Sequence, residues 1–250
     1  MSRPTMAVMR NRTIVTGATS GIGYELAVQL ARAGVHVIAI GRQPQRLAAL
    51  AALSSRIEPL AVDLANPDRV HRVVGTLAER YDDIDGLINN AGIQHDRRFD
   101  DDTYGPADIQ EELSVNLTAP LLLTHALLPV LRRQPSATIV NVTSGLGYVP
   151  KRTAAVYSAS KAGLRLFSDA LRVQTRGTSV RVIEAVMPLV DTPMTRGRGR
   201  GKISASEAAA QVIRGMEDGH DVIRVGKARA LPHLQRWAPA LLERLMQATP

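Results

Sequence analysis

The stretch RTIVTGATSGIG, from Arg12 to Gly23, is an apolar strand followed by a glycine-rich turn that opens a helix. We interpret it as a phosphate-binding turn, because Gly17 permits a tight turn while Gly21 and Gly23 let the backbone approach a pyrophosphate at a helix N-terminus. The spacing G-x-x-x-G-x-G differs from the dinucleotide fingerprint G-x-G-x-x-G. A glycine turn that merely joins strand to helix is the alternative interpretation.

Strand-like runs alternate with helical patterns along the chain, which indicates a parallel sheet with helices on both faces. A long helix is predicted at 107–133, broken or kinked at Pro120 and Pro129. Because no repeat or linker divides the sequence, residues 1–250 are predicted to form a single α/β domain. Its strands are predicted at 12–16, 35–40, 58–62, 85–89, 137–142 and 179–186, with a seventh at 221–225.

The composition is that of an ordinary globular protein, with 45% hydrophobic and 22% charged residues among 250. The chain has no cysteine, which excludes disulfides, thiolate metal sites and cysteine nucleophiles, and no metal site is predicted. The sequence contains neither a recognisable signal peptide nor an uninterrupted apolar run of about 18 residues. We therefore expect a cytoplasmic protein without stable membrane insertion.

The net charge of +8 is concentrated in two stretches that contain no acid. Residues 1–12 carry three arginines, and residues 196–202 carry four cationic side chains. The rest of the chain is almost neutral, which is not the pattern of a broad nucleic-acid face. We predict a flexible basic tail at 1–11 and a mobile substrate-side loop at 193–203, which is either a plain solvated loop or a lid that attracts anionic substrates. A nucleic-acid contact through residues 196–202 remains an alternative, although interleaved aromatic residues for base stacking are absent.

Tyr157 and Lys161 are four residues apart on a predicted helix, and Ser144 precedes the tyrosine by 13 positions. Residues i and i+4 share a helix face, so the ammonium group is expected to lie beside the phenol. A free tyrosine has a pKa near 10, and lowering it to about 7 requires about 4 kcal/mol of differential stabilisation. We predict that this pair makes the phenol a proton donor and acceptor. Taken singly, each residue has a structural alternative: Ser144 is a turn-forming residue, and Lys161 is a solvated surface charge.

These features together resemble the short-chain dehydrogenase/reductase family. The resemblance rests on the glycine turn, Asn89-Asn90-Ala91-Gly92, Asn116, Ser144 and the pair Tyr157 and Lys161. It implies a Rossmann-type, doubly wound sheet of seven parallel strands and a catalytic tetrad of Asn116, Ser144, Tyr157 and Lys161. Residues 188–192 favour a bacterial branch that includes the reductase named for D-alanine esterification of teichoic acids.

The resemblance implies an NADPH-dependent oxidoreductase that reduces a ketone or aldehyde to an alcohol, or runs the reverse reaction. In it, Tyr157 donates a proton to the carbonyl oxygen and Ser144 orients that oxygen. Lys161 binds the nicotinamide ribose, and Asn116 holds a water that relays protons to solvent. A catalytically silent NADP(H)-binding sensor or scaffold is the alternative function.

Arg42 is the residue that favours NADP over NAD. Dinucleotide folds that select NAD place an acid at the end of the second strand, and here Gly41 occupies that place and Arg42 follows. A guanidinium group can bind a 2′-phosphate with two hydrogen bonds. The resemblance implies that Asp63, at the end of the third strand, binds the adenine amino group. The alternatives are that Arg42 is an ordinary surface residue and that Asp63 is the N-cap of the next helix. The resemblance adds cofactor contacts at Gly17, Thr19, Ser20, Gly21, Ile22, Gly23, Asp63, Leu64, Asn90, Ala91, Gly92, Tyr157, Lys161, Pro188, Val190 and Thr192.

The substrate is predicted to contact Ser144, Leu146 and Tyr157. The other predicted lining residues are mainly apolar, which favours a hydrophobic ketone or aldehyde: Gln94, Tyr148, Val149, Leu189 and Met194. A C-terminal helix at 230–248 is expected to pack against the body or a second subunit, with membrane-surface attachment as the alternative. The family resemblance implies a homodimer or homotetramer.

Overall fold

The computed structural model describes residues 9–247, and its centre is a parallel sheet of seven strands in the order β3-β2-β1-β4-β5-β6-β9. Each of these seven strands begins and ends within two residues of its predicted bounds, so the predicted fold class is confirmed. The strands are β1 (Arg12–Thr16), β2 (His36–Gly41), β3 (Ile57–Ala61), β4 (Ile84–Asn89), β5 (Ala137–Ser144), β6 (Val180–Met187), β7 (Val190–Asp191), β8 (Ile203–Ser204) and β9 (Val222–Arg224), of which β7 and β8 pair separately.

Nine α-helices connect the strands within the described residues. They are α1 (Gly21–Arg32), α2 (Pro44–Ala51), α3 (Pro67–Arg80), α4 (Pro106–Leu113), α5 (Ala119–Arg133), α6 (Ala155–Gln174), α7 (Ala205–Glu217), α8 (Leu231–Trp237) and α9 (Pro239–Gln247). Because side chains alternate along a strand, the sheet buries one apolar set on each face. Ile14 packs with α3 and α5 on one face, whereas its neighbour Val15 packs with α1 and α7 on the other. Both faces are therefore covered, as a parallel sheet requires.

The predicted break in the long helix is wrong in its position. The helix is continuous over Pro106–Arg133 and changes to a π-helical turn at Ser114–Thr118, upstream of both prolines. Pro120 lies just after this π-helical turn and Pro129 lies inside α5, and neither of them ends the helix. This helix has the length and hydropathy of a membrane span, but half of its most apolar window is buried, as in the core helix of a soluble protein.

The amino-terminal tail lies outside the described residues up to position 8, and the predicted flexibility is wrong for residues 9–11. Met9 is buried, and the backbone amides of Arg10 and Asn11 donate hydrogen bonds to Asp85 Oδ2 at 2.7 and 2.9 Å. Asp85 is itself buried in β4, and burial raises the pKa of its carboxyl group while the amide donors oppose that effect. The segment is therefore anchored to the sheet just before β1.

The single C-terminal helix predicted at 230–248 is two helices, α8 and α9, and residue 248 lies outside the described part. Pro239 explains the interruption, because the residue before a proline is driven out of the helical region, and Ala238 has a φ of −146°. Leu231 and Leu242 are buried against Val186 of the sheet. Trp237 remains 75% exposed, so the pair of helices covers the body with only part of its apolar surface.

Candidate active site

A cleft runs along the carboxyl ends of the strands, over the point between β1 and β4 where the strand order reverses. In open α/β sheets this is the place where ligands bind. Most of the predicted site residues line it, including Gly17, Thr19, Ser20, Gly21, Ile22, Arg42, Leu64, Asn90, Ala91, Gly92, Ser144, Tyr157, Lys161, Pro188, Val190 and Thr192. Residues that the sequence analysis did not place there are Gln43, Val62, Ile93, Val115, Val142, Thr143, Met187, Pro193 and Thr195.

The glycine turn has the backbone geometry that its sequence predicts, with one correction. Gly17 and Gly21 have φ angles of +68° and +56°, which an L side chain rarely adopts. Gly23 does not open the backbone to a ligand: a Cβ there would lie 2.4 Å from both the Gly17 carbonyl oxygen and the Asn90 side chain. Its absent side chain therefore lets α1 pack against the turn from behind the cleft.

Asn90 joins the end of β4 to the same turn. Its side-chain amide donates to the Thr16 carbonyl oxygen at 2.9 Å, and the backbone amides of Asn90 and Ala91 donate to Thr16 Oγ1 at 2.9 and 3.0 Å. These bonds hold the two strands that flank the switch point at a fixed separation. The turn at 16–23 and the segment 90–92 therefore form one rigid cradle that fits a dinucleotide phosphate group.

At the other end of the cleft, the structure explains why no acid follows the second strand. A Cβ on Gly41 would lie 2.4 Å from Thr19 Cγ2, so a larger side chain has no room beside the glycine turn. Arg42 follows at the surface with 54% of its side chain exposed, and its Nη1 lies 3.2 Å from Glu111 Oε1 of α4. The sequence analysis missed Glu111, because nothing in its local pattern shows that α4 reaches across the cleft.

Leu64 lines the cleft, whereas its neighbour Asp63 is not among the lining residues. The Asp63 carboxylate accepts a hydrogen bond from the Ala65 backbone amide at 3.1 Å, within its own turn. The alternative interpretation of Asp63 as a helix N-cap is wrong, because Asn66 caps α3 by accepting from the Arg69 amide at 3.0 Å. Contact between Asp63 and a nucleotide base stays a prediction.

Ser144, at the end of β5, and Tyr157, in the first turn of α6, meet at the centre of the cleft. The Tyr157 phenol is almost fully buried, and the Ser144 hydroxyl lies close enough to it to lower its pKa. Burial raises the pKa of Tyr157 to about 12, because it disfavours the phenolate. The Ser144 hydroxyl and the charge of Arg198 act in the opposite direction, and the carboxylate of Glu112 adds to the rise.

Lys161 lies one turn after Tyr157 and is buried, but it does not lower the pKa of the phenol as predicted. Its Nζ donates to the Val142 carbonyl oxygen at 3.0 Å and lies 5.8 Å from the centre of the Tyr157 ring. Burial lowers the pKa of Lys161 itself from 10.5 to about 8. In this structure desolvation outweighs the attraction between the two groups, and the phenol is protonated at neutral pH.

Asn116 lies in the π-helical turn and clamps the loop that follows β4. Its side-chain amide donates to the Ile93 carbonyl oxygen at 2.9 Å and to Ser160 Oγ at 3.2 Å, and it accepts from the Ile93 amide at 2.9 Å. Both N–H groups of the side chain are thus occupied. Asn116 ties the cleft wall to α6, and its predicted part in a proton relay stays a prediction.

The substrate side of the cleft differs from the predicted apolar pocket. Met194 lines the cleft, but Tyr148 and Val149 pack against the apolar cluster beneath α8 and α9, and Tyr148 donates to Glu184 at 2.9 Å. In the loop 193–203, Lys202 Nζ donates to the Thr195 carbonyl oxygen at 2.5 Å. Arg198 also has partners in the structure, and the predicted mobility of this loop stays a prediction.

Comparison with known proteins agrees with this geometry. A family model described as short chain dehydrogenase matches residues 11–202. The uncharacterized oxidoreductase DltE of Bacillus subtilis (strain 168) is 36% identical over 225 residues, which cover 87% of this chain and 89% of the relative. Serine 3-dehydrogenase of Agrobacterium fabrum is 34% identical over 208 residues, which cover 80% of each protein.

A solved structure supports the same assignment over almost the full length. A short chain dehydrogenase from Burkholderia cenocepacia, in complex with NADP, has a TM-score of 0.84 and 28% sequence identity, and the alignment covers 97% of this chain and 99% of that one. The chain therefore belongs to the short-chain dehydrogenase/reductase family, in the branch that includes DltE, and is an NAD(P)-dependent oxidoreductase.

Proposed function

We propose that the protein is an NADPH-dependent carbonyl reductase that converts a ketone or aldehyde to an alcohol. The observation that carries the proposal is the buried Tyr157 phenol, which lies with Ser144 in the cleft and whose pKa burial raises to about 12. A proton donor must be protonated when the reaction begins, and the Tyr157 phenol is protonated at neutral pH. The reverse reaction needs the phenolate, so the raised pKa of Tyr157 favours reduction.

Each polar group of the site has a part in that chemistry. A nicotinamide cofactor bound in the cleft supplies the hydride. Tyr157 donates its proton to the carbonyl oxygen, and the Ser144 hydroxyl orients that oxygen, which are contributions of about 10²–10⁴-fold for a positioned acid. Lys161, which is buried and bonded to the Val142 carbonyl oxygen, would hold the nicotinamide ribose.

The preference for NADPH rests on Arg42. The guanidinium group stands at the end of β2, where Gly41 leaves no room for a ribose-binding acid. The related short chain dehydrogenase from Burkholderia cenocepacia was crystallised with NADP. To bind a 2′-phosphate, Arg42 must exchange its contact with Glu111 for the phosphate, which offers a stronger, bidentate partner.

The test is a panel of carbonyls and alcohols followed by NADPH absorbance. We expect turnover of at least one carbonyl, a higher kcat/KM with NADPH than with NADH, and a loss of about 10²-fold or more in Tyr157→Phe. Tyr81→Phe is the matched control, because it also removes a phenol, one that lies away from the cleft and donates to Glu58. Cofactor binding that is equal in both variants, with no turnover by the wild type, would instead support the silent sensor.

The remaining alternatives have separate tests. A nucleic-acid contact through residues 196–202 predicts salt-dependent retention on DNA or RNA that is lost when these cations are neutralised. We do not favour it, because Arg198 and Lys202 are engaged within the protein. A homodimer or homotetramer, for which light scattering is the measurement, and a cytoplasmic location remain part of the proposal.

A further inference from the structure

We infer that Arg198 recognises an anionic group, a carboxylate or sulfonate, on the carbonyl substrate. This inference rests on the proposed function and narrows its substrate class. It starts from Asp96, which was not among the predicted site residues and forms ion pairs with Lys151 and Arg198.

Asp96 is the centre of a polar cluster built from three separate loops. Its carboxylate lies 3.2 Å from Arg198 Nη1, 3.1 Å from Lys151 Nζ and 2.8 Å from Thr153 Oγ1, and Gln94 donates to it at 3.3 Å. The side chains of Asp96, Lys151 and Arg198 are at most 20% exposed. Asp96 also has a φ of +56°, which is uncommon for a residue with a side chain. The cluster is therefore a built feature and not a chance surface pair.

The glycine pattern of the loop sets Arg198 apart from its neighbours. Gly197, Gly199 and Gly201 have φ angles of +77°, +59° and +66°, so the backbone reverses around each intervening arginine. Arg198 points inward and is partly buried, whereas Arg196 and Arg200 are exposed. The loop thus turns two of its four cations inward, and of these Lys202 bonds within the loop whereas Arg198 pairs with Asp96.

Arg198 is near the reacting group. Its positive charge lowers the pKa of Tyr157, and it donates a hydrogen bond to the carbonyl oxygen of Met194, which lines the cleft. The other charge that acts on Tyr157 is Glu112, whose carboxylate accepts from Tyr104 at 2.6 Å and from the His95 amide at 3.0 Å. Among the described residues Glu112 forms no ion pair with Arg198, whose carboxylate partner is Asp96.

Arg198 is also the exchangeable member of the cluster. If it moves to a substrate anion, Asp96 retains Lys151, Thr153 and Gln94, so no buried charge is left unpaired. Two cations face one carboxylate here, and this excess attracts an anion. A guanidinium group binds a carboxylate with two hydrogen bonds and fixes its direction, which would hold the carbonyl against Ser144 and Tyr157.

The first test compares 4-oxobutanoate with its uncharged methyl ester as aldehyde substrates. For wild type we expect a higher kcat/KM with the acid than with the ester, and Arg198→Met should lower the ratio of the two kcat/KM values by about 10- to 100-fold, a ratio in which any effect of Arg198 on Tyr157 cancels. Arg198→Lys should restore part of the preference, because it keeps the charge but not the fork. Arg200→Met, in the same loop and exposed, is the matched control and should behave as wild type.

The second test does not depend on turnover. Binding of succinate to the complex of enzyme and NADP⁺ is measured by calorimetry for the same three variants, each checked for an unchanged melting temperature. Binding that is weakest in Arg198→Met, intermediate in Arg198→Lys and unchanged in Arg200→Met supports the inference. Equal binding in Arg198→Met and wild type, or no binding by wild type, overturns it even if neutral carbonyls are reduced. Absence of all turnover together with Arg198-dependent binding would instead count against the proposed reaction.

Discussion

Replacing Lys161 by methionine should abolish turnover and at the same time stabilise the fold near pH 7. Lys161 is 3% exposed, and its Nζ has one hydrogen bond, to the Val142 carbonyl oxygen. Burial lowers its pKa from 10.5 to about 8, so below pH 8 the folded protein carries an ammonium group that the unfolded chain solvates better. Methionine has a similar length and no charge to desolvate.

The magnitude follows from the two pKa values and has a definite sign. The gap between 10.5 and about 8 corresponds to about 3 kcal/mol in the free energy of unfolding. Between these pH values the unfolded chain binds more protons than the folded protein, so wild-type stability rises with pH there. The penalty is fully present below pH 8 and is absent above 10.5. The stability advantage of Lys161→Met should therefore shrink by about 2–3 kcal/mol between pH 7 and pH 10.

The assay is urea denaturation of both proteins, without cofactor, at pH 7 and pH 10. Comparing the difference between the two proteins at each pH removes the contribution of every other titrating group that they share. Lys227→Met, at an exposed position, reports the effect of replacing a solvated ammonium group. A stability difference between wild type and Lys161→Met that is the same at both pH values would refute the argument that desolvation controls this lysine.

Three further predictions concern other parts of the cleft and its support. Glu111→Gln should lower the KM for NADPH up to about fivefold, because it frees Arg42 from an exposed ion pair. Arg42→Ala should raise the KM for NADPH and leave the KM for NADH nearly unchanged. Steady-state kinetics with both cofactors measures these changes. Gly147→Ala should destabilise by about 1–3 kcal/mol and reduce kcat, because its Cβ would lie 2.9 Å from the backbone of Lys161; urea denaturation and turnover measure the two effects. Asp85→Ala should cost about 1–3 kcal/mol, since two backbone amides lose their acceptor, and hydrogen exchange at residues 10 and 11 should accelerate.

The fold was predictable because its signals are local. Each strand of the main sheet is a short apolar run, and turn residues such as Gly34, with a φ of +94° after α1, mark where helices end. The glycine turn and the pair Tyr157 and Lys161 were equally visible as short sequence motifs, and the family resemblance placed them in one site, as the cleft does.

The features that sequence reasoning missed depend on contacts between distant segments. Glu111 opposite Arg42, and Arg198 opposite Asp96, are separated by 69 and 102 positions, and no local pattern links them. The pKa of Tyr157 was predicted with the wrong sign because the argument counted the neighbouring charge of Lys161 and not the burial of both groups. Burial depends on the complete fold, whereas a spacing of four residues can be read directly from the sequence.

The π-helical turn at Ser114–Thr118 restricts where residues can be inserted into or deleted from this chain. It sets the angular phase between α4, which carries Glu111 across the cleft, and α5, whose residues Leu123, Leu127 and Leu131 are fully buried. Deleting one residue from the turn would rotate one helix by about 100° relative to the other, so either the cleft wall or the core would lose its contacts. Length polymorphism in homologous chains is therefore expected in the loops that precede α4, and not between the two helices.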